Sequence, residues 1–161
     1  MLLAAFESSC DETSVAIVRD GAILASVVSS QIKLHSEYGG VVPELATREH
    51  LRNLLPVARE AFQRAGVAPN DLDAVAATQG PGLPPALAIG FQAGQALAYS
   101  LGRLLVGVNH HEAHLYSPWI REGRANFRPL ISGNRCCKNW SVLNLSPVIN
   151  SRHSLIDIAV F

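Results

Sequence analysis

The feature that most constrains the fold is a long uncharged stretch, which runs from Ala74 to Gly102. A segment this long and this apolar has to leave water, either inside a protein core or across a membrane. Gly80-Pro81-Gly82 and Pro84-Pro85 interrupt it, and each proline removes a backbone donor that a continuous helix would use. The pattern therefore predicts a buried strand from Asp73 to Thr78, a tight turn, and a helix from Pro84 to Leu101, not a membrane span.

The N-terminal residues predict three strands rich in apolar or β-favouring side chains: Leu2 to Phe6, Ser14 to Val18 and Ala22 to Val28. Asp20-Gly21 separates the last two and is a strong signal for a two-residue hairpin turn. A polar loop from Ser8 to Thr13 joins the first two strands. We expect an antiparallel meander.

A helical pattern begins at Pro43 and has Gly66 as its C-terminal cap. Its predicted apolar face consists of Leu51, Leu54, Leu55, Ala58 and Phe62. Pro56 lies inside this run and is expected to kink or divide the helix. A further strand from Leu104 to Val108 follows the uncharged stretch. The order of elements predicts an α/β lobe with a mixed sheet: three antiparallel strands, then alternating helix and strand.

Composition limits the functional classes. The chain has 161 residues, of which 48% are hydrophobic and 16% charged, as in a packed soluble domain. Thirteen basic and thirteen acidic residues balance, so a nucleic acid would have to meet a local basic patch or a partner subunit. Three cysteines form neither a disulfide framework nor a CxxC zinc motif. With no basic residue before the first apolar ones, we expect no signal peptide and a cytoplasmic location.

Two histidines follow the last predicted strand. If Asn109 caps a helix, His110 and His114 stand one turn apart on the same face, as two ligands of one ion require. Ligand sites in open α/β sheets gather at this end of a strand. The zinc peptidase motif His-Glu-x-x-His is not formed, because Glu112 follows His111, which lies only three residues before His114. Taken alone, surface or core histidines are the alternative.

Three other segments carry polar groups. The loop from Glu7 to Thr13 offers hydroxyls and amides for an anion and carboxylates for a metal or its water, or else is a plain polar loop. Gly80-Pro81-Gly82-Leu83 precedes a helix N-terminus, a setting that favours a phosphate or carboxylate, or else is a simple turn. Glu44, Arg48 and His50 are predicted to lie on a solvated helix face.

Five segments, taken in their order, closely resemble the TsaD family of tRNA threonylcarbamoyladenosine synthases, formerly called glycoproteases or O-sialoglycoprotein endopeptidases. They are Glu7-Ser8-Ser9-Cys10-Asp11-Glu12-Thr13, Gln31-Ile32-Lys33-Leu34-His35, the run from Tyr38 to His50, Gly80-Pro81-Gly82-Leu83 and Asn109-His110-His111-Glu112-Ala113-His114. The resemblance covers residues 2–131 and implies the first lobe of an actin-like ATPase fold of the ribonuclease H-like type.

The resemblance also implies an activity and a site. The family transfers a threonylcarbamoyl group from its adenylate to the exocyclic amine of a tRNA adenosine. His110 and His114 map onto the metal-binding histidines, with iron as the expected ion and zinc as the alternative. The loop that binds the substrate maps onto Ser9, Asp11, Glu12 and Thr13. The expected partners are tRNA, threonylcarbamoyl-adenylate and the other proteins of the threonylcarbamoylation complex, with no membrane.

The sequence departs from the family after Ser132, where Gly133-Asn134-Arg135 begins a stretch without periodicity. The family instead continues into a Ser-Gly-Gly-His-Thr loop and a second lobe. We therefore expect residues 132–161 to be a divergent tail, the second lobe to be absent, and the isolated chain to be inactive. One alternative is a noncatalytic interaction module. The small residues of one helix, Ala86, Gly90 and Gly94, could provide its docking surface or could equally be internal packing. A metallopeptidase is the other, less favoured one.

Overall fold

The computed structural model describes residues 1–117 and the backbone of two short strands at 120–121 and 124–125. Its elements are β1 (Leu2–Glu7), β2 (Glu12–Arg19), β3 (Ala22–Ser30), α1 (Ile32–Ser36), α2 (Pro43–Ala65), β4 (Ala74–Gly80), α3 (Pro84–Leu101), β5 (Leu104–Asn109), α4 (His110–Tyr116), β6 (Ile120–Arg121) and β7 (Arg124–Ala125). A 3-10 turn at Pro69–Asp71 connects α2 to β4. The predicted tail, residues 132–161, lies outside the described residues.

The strands form one mixed sheet in the order β5-β4-β1-β2-β3-β7-β6. β1, β2 and β3 are an antiparallel meander, whereas β4 runs parallel to β1 and β5 parallel to β4. Asp20 and Gly21 have φ values of 50° and 78°, so both central residues of the hairpin turn are left-handed, as the sequence predicted. This topology confirms the α/β lobe of the actin-like, ribonuclease H-like type.

The central strand, β1, contributes to two cores because successive side chains of a strand point to opposite faces. Leu2, Ala4 and Phe6 lie in the core that α2 and α3 cover. Leu3 and Ala5 lie in the core on the other face, which includes Ala113 of α4. The polar residues that follow continue this alternation: Glu7 lies on the α4 side of the sheet and Ser8 on the α3 side.

The helix α2 has the predicted period, and part of its predicted apolar face packs against the core: Leu54 is buried, and Ala58 and Phe62 are partly buried. Its buried residues are Ala46, His50, Leu54, Val57 and Ala61. Leu51 and Leu55, which were predicted to be buried, are 65% and 58% exposed. The buried face therefore overlaps the predicted one but is rotated toward Ala46, His50, Val57 and Ala61. The buried face includes His50 because hydrogen bonds compensate its burial.

The structure contradicts the predicted division of one helix and contains one helix that was not predicted. α2 is not divided at Pro56, which lies inside a continuous helix. Pro56 is on the exposed side, where water can satisfy the carbonyl that loses its helical partner. α1 was not predicted, because its five residues are too few to show a helical period.

The uncharged stretch folds as β4, a turn and α3, as predicted. None of the helices described in residues 1–117 is both long and apolar enough to span a bilayer. The small-residue face of α3 packs inward. A Cβ atom built on Gly90 would lie 2.4 Å from Ser8 Oγ, and one on Gly94 would lie 3.1 Å from Ala77 Cβ. This face is therefore internal packing against β1 and β4, which decides between the two alternatives that the sequence left open.

The phase of α2 predicts a sharp difference between two neighbouring leucines. Leu54→Ala removes buried methyl groups and is expected to lower the free energy of unfolding by about 2–5 kcal/mol. The matched variant Leu55→Ala is expected to change it by less than about 0.5 kcal/mol, since Leu55 is exposed. Urea unfolding of both variants, followed by circular dichroism, measures the difference. Equal losses, or a larger loss for Leu55→Ala, would contradict this assignment of the buried face.

Candidate metal-binding site

The parallel strands β1, β4 and β5 all end at one edge of the sheet, where polar side chains meet. β5 delivers the chain to Asn109, whose side-chain oxygen accepts hydrogen bonds from the backbone N–H groups of His111 and Glu112, at 3.0 and 3.2 Å. Asparagine is a favourable N-cap because it satisfies amides that have no helical partner. This cap begins α4 at His110 and so fixes where both histidines of the predicted site lie.

The two predicted ligands converge, as their spacing required. Nε2 of His110 and Nε2 of His114 are 3.0 Å apart. Two nitrogens on one zinc ion, each about 2.0–2.1 Å from it, are separated by about 3.0–3.4 Å, so the pair matches the spacing of two ligands. His111 is exposed, and its ring centroid is 5.9 Å from that of His110.

A buried carboxylate lies behind His110. Glu7, at the end of β1, is 6% exposed, and its Oε2 is 3.6 Å from Nδ1 of His110. The other carboxylate oxygen accepts a hydrogen bond from the backbone N–H of Ser9, and Oε2 accepts one from the hydroxyl of Thr78 on β4. The resemblance included Glu7 in a segment but gave it no role. Its position beside the histidine comes from the fold alone.

The loop between β1 and β2 is clamped on the side of α3. Ser8 Oγ donates to the carbonyl of Ala86, at 2.8 Å, and accepts from the N–H of Gly90, at 3.0 Å. The carbonyl of Ser9 accepts from the N–H of Leu83, at 2.7 Å. This amide was a candidate anion donor at the start of α3, and it is occupied by the loop. The glycine-rich turn therefore supports the loop at Leu83.

Of the predicted substrate residues, Ser9 lies nearest the histidine pair: its Oγ is 3.2 Å from Nδ1 of His110. Asp11 is half-buried and Glu12 is exposed, and the carbonyl of Asp11 accepts from the N–H of Gln31, at 2.9 Å. Thr13 is fully buried under the loop. The structure thus divides the predicted set into one residue beside the histidines, two at the open side of the loop, and one beneath it.

His50 holds the underside of the same loop, where the sequence predicted a solvated face. Its Nδ1 is 2.8 Å from Thr13 Oγ1 and its Nε2 is 3.0 Å from the carbonyl of Cys10. A carbonyl only accepts, so Nε2 carries the proton and Nδ1 accepts from the threonine hydroxyl. Burial lowers the pKa of His50, which favours this neutral form. Glu44 and Arg48 are exposed, as predicted.

The thiol of Cys10 stands at the exposed side of the loop. Burial, and then the charge of Asp11, raise its pKa. A raised pKa leaves less thiolate at neutral pH, and thiolate is the nucleophilic form.

The donor set fits two ligands of a divalent metal ion. Desolvation, and then His110, lower the pKa of His114, which favours the neutral imidazole that binds metals. Within the part of the chain that the structure describes, no group of three or more His, Cys, Asp or Glu side chains is arranged to hold an ion. The described residues therefore offer two imidazole nitrogens that could serve as ligands of one ion.

The fold and the histidine pair together define one lobe of an actin-like protein with a two-histidine site at the end of its parallel strands. The model of the family TsaD, tRNA N6-adenosine threonylcarbamoyltransferase, matches residues 22–142. The chain belongs to this family. The match includes both histidines and begins after the β1–β2 loop. It extends past residue 131, and the predicted lobe boundary there stays a prediction.

Curated relatives carry the same name. The protein from Geotalea uraniireducens is 55% identical over 121 residues, which are 74% of this chain and 35% of that protein. One from Anaeromyxobacter dehalogenans is 55% identical over 119 residues, covering 73% of this chain and 36% of the relative. The chain therefore spans about a third of the length of the relatives it matches.

Solved structures share the fold. YeaZ from Pseudomonas aeruginosa superposes with a TM-score of 0.59 and 28% sequence identity, over 76% of this chain and 50% of that one. A second structure from the same organism, described as an uncharacterized protein with similarity to peptidase YeaZ, gives a TM-score of 0.58 and 28% identity over 76% of this chain and 49% of that one. These likenesses support the actin-like lobe.

Burial of His50 predicts a stability that falls with acid. The unfolded chain takes up a proton near the ordinary histidine pKa of 6.5, and folded His50 resists it because its pKa is lowered. The contribution is therefore present above about pH 6.5 and is lost as the pH falls from there toward the folded pKa. His50→Gln should lose roughly 1–3 kcal/mol at neutral pH but show a shallower fall in stability toward about pH 5.5.

Thr13→Val is the matched control for this experiment. It removes the hydroxyl that donates to His50 but keeps the imidazole, so it should lower stability while retaining the acid dependence. Urea unfolding at a series of pH values measures both. Identical pH dependence in the wild type and His50→Gln would show that His50 does not resist protonation in the folded chain.

Proposed function

We propose that this chain forms the N-terminal lobe of a tRNA N6-adenosine threonylcarbamoyltransferase and supplies two metal ligands and one wall of the adenylate site. The main observation behind this proposal is that the Nε2 atoms of His110 and His114 lie 3.0 Å apart, next to the β1–β2 loop. Family membership and the 55% identical relatives of that name support this assignment.

The proposed ion is iron, with zinc as the alternative, because neutral imidazole suits both. A divalent ion held by His110 and His114 supplies a Lewis acid that polarises a carbonyl or phosphoryl oxygen. The chain's own residues fix where that ion stands. Asn109 sets the start of α4, and Glu7 and Ser9 contact the far side of the His110 ring.

The loop is proposed to bind the threonylcarbamoyl-adenylate. Ser9 stands beside His110, so its hydroxyl can meet a group that also reaches the ion. Asp11 and Glu12 are negatively charged and would repel a phosphate, so we assign them to hydroxyl or amine groups of the substrate. His50 acts from beneath, where it holds Thr13 and the carbonyl of Cys10.

The other partners follow from the same proposal. The chain has no net charge. We therefore propose that other segments, or partner proteins of the threonylcarbamoylation complex, make most of the contacts with tRNA phosphates. The cytoplasm, where tRNA is modified, is the proposed location. The metallopeptidase alternative gains no support from α4, where Glu112 is exposed and holds the wrong place in the motif.

Metal binding by the histidine pair is directly testable. The 161-residue chain should bind one Zn²⁺ ion, and His110→Ala or His114→Ala should weaken binding by at least about 100-fold, because even outer-shell changes cost about 10- to 100-fold. Competition with a chromophoric chelator measures the affinity. His111→Ala is the matched control, because His111 is an exposed histidine of the same helix whose ring centroid lies 5.9 Å from that of His110. An equal loss in the control would contradict the assignment.

Transfer activity is expected only in the context of a complete enzyme. The isolated chain, given tRNA, threonine, bicarbonate, ATP and the upstream synthase, should form no threonylcarbamoyladenosine, because the histidine pair stays open to water. A chimera of the Geotalea uraniireducens relative, in which the 121 matching residues of this chain replace its own matched segment, should be active. His110→Ala in the chimera should reduce that activity by at least about 100-fold. Turnover by the isolated chain, or an active His110→Ala chimera, would overturn the proposal.

A further inference from the structure

We propose that Glu7 is a positioning residue for the histidine pair. Its buried carboxylate keeps a proton on Nδ1 of His110 and thereby keeps Nε2 of that ring unprotonated and able to bind an ion. The inference rests on the proposed function, because it assigns Glu7 a task at the proposed metal site. Glu7 acts through His110 and is not itself proposed as a ligand.

The direction of the hydrogen bonds around Glu7 supports this task. The Ser9 backbone N–H and the Thr78 hydroxyl each donate to one of its oxygens, so both oxygens act as acceptors. Nδ1 of His110, a half-buried side chain, lies 3.6 Å from one oxygen of the buried carboxylate. A nitrogen that carries a proton is attracted there, whereas an unprotonated nitrogen would place two acceptors face to face. The carboxylate therefore favours the Nδ1–H tautomer.

The hydroxyl of Ser9 is the competing influence, since it lies 3.2 Å from the same nitrogen. A hydroxyl can donate or accept, so it adapts to whichever tautomer is present. The carboxylate of Glu7 can only accept and so is selective. With the proton on Nδ1, Ser9 accepts as well, so the contacts of His110 with Glu7 and with Ser9 are both favourable.

The contact with His114 bears on which nitrogen of each ring carries a proton. At 3.0 Å, the two Nε2 atoms form a hydrogen bond when only one of them carries a proton. With Nε2 of His110 unprotonated, that proton is on Nε2 of His114. An arriving ion takes the place of this proton, which moves to Nδ1 of the His114 ring by exchange with water. Both rings stay neutral, and both Nε2 atoms then face the ion.

Glutamine at position 7 should reverse the preference of His110, although it has nearly the shape of glutamate. The backbone N–H of Ser9 needs an acceptor, which assigns the amide oxygen of a glutamine to the place of Oε1. The NH₂ group then occupies the place of Oε2 and faces His110 with a donor. An unprotonated Nδ1 becomes the favourable partner, and the proton moves to Nε2, the ligating atom.

The test uses the whole 161-residue chain as wild type and as Glu7→Gln. Two-bond ¹H–¹⁵N spectra of the metal-free chain report which nitrogen of each histidine carries its proton. The wild type should show His110 protonated on Nδ1, and Glu7→Gln should shift it toward Nε2. The affinity for Zn²⁺, measured by chelator competition, should fall about 10- to 100-fold in the variant.

Ser8→Ala is the matched control, because Ser8 is the buried neighbour of Glu7 but points to the opposite face of the sheet. It should lower the melting temperature while leaving the His110 tautomer and the affinity for Zn²⁺ unchanged. A tautomer shift in Ser8→Ala would mean that general loosening of the loop accounts for the effect. That result would overturn the inference.

The outcomes separate the inference from the proposed function. A wild-type His110 that carries its proton on Nε2 overturns the inference without any variant, even if Glu7→Gln fails to fold. A tautomer shift in Ser9→Ala as large as in Glu7→Gln would transfer the role to Ser9 and overturn it too. If the tautomers behave as expected but the wild type does not bind Zn²⁺, the positioning role stands and the metal assignment of the proposed function fails.

Discussion

The buried carboxylate of Glu7 links the elements that meet where β1, β4 and β5 end. An ion taken out of water costs several kcal/mol unless its oxygens find strong partners. Glu7 finds hydrogen-bond donors on two elements, the hydroxyl of Thr78 on β4 and the backbone of the β1–β2 loop, and Nδ1 of His110 on α4 lies 3.6 Å from it. The carboxylate thereby ties the loop and β4 to the end of β1, beside the start of α4.

Most of the fold could be predicted from the sequence because it depends on local patterns. Alternation of side chains predicted β1, β2 and β3, and the prolines and glycines of the uncharged stretch predicted the β4–turn–α3 unit. The burial of the His50 side of α2 could not be predicted, since it depends on whether groups elsewhere in the chain form hydrogen bonds with the imidazole of His50. The partner of His50, Thr13, lies 37 residues away, and no periodicity reports such a contact.

The candidate site was predictable only in part. The spacing of His110 and His114 and the cap at Asn109 are local, and both give the geometry that the structure shows. The contact of Ser9 with His110 joins residues 101 positions apart and follows from the sheet order, not from a motif. Alternation along β1 was the available signal for Glu7, because it places that carboxylate on the side of the sheet opposite Ser8.

The tight contact between Ser8 and Gly90 has a consequence for the history of the lobe. A Cβ atom at position 90 would lie 2.4 Å from Ser8 Oγ and 3.2 Å from Ser8 Cβ, so a larger residue there is acceptable only once the hydroxyl at position 8 has gone. Substitutions at the two positions are therefore coupled, and the order in which they arise matters. A lineage can lose the hydroxyl first at the cost of two buried hydrogen bonds, whereas the reverse order passes through a steric clash. We therefore expect the loss of the hydroxyl at position 8 to precede any larger residue at position 90.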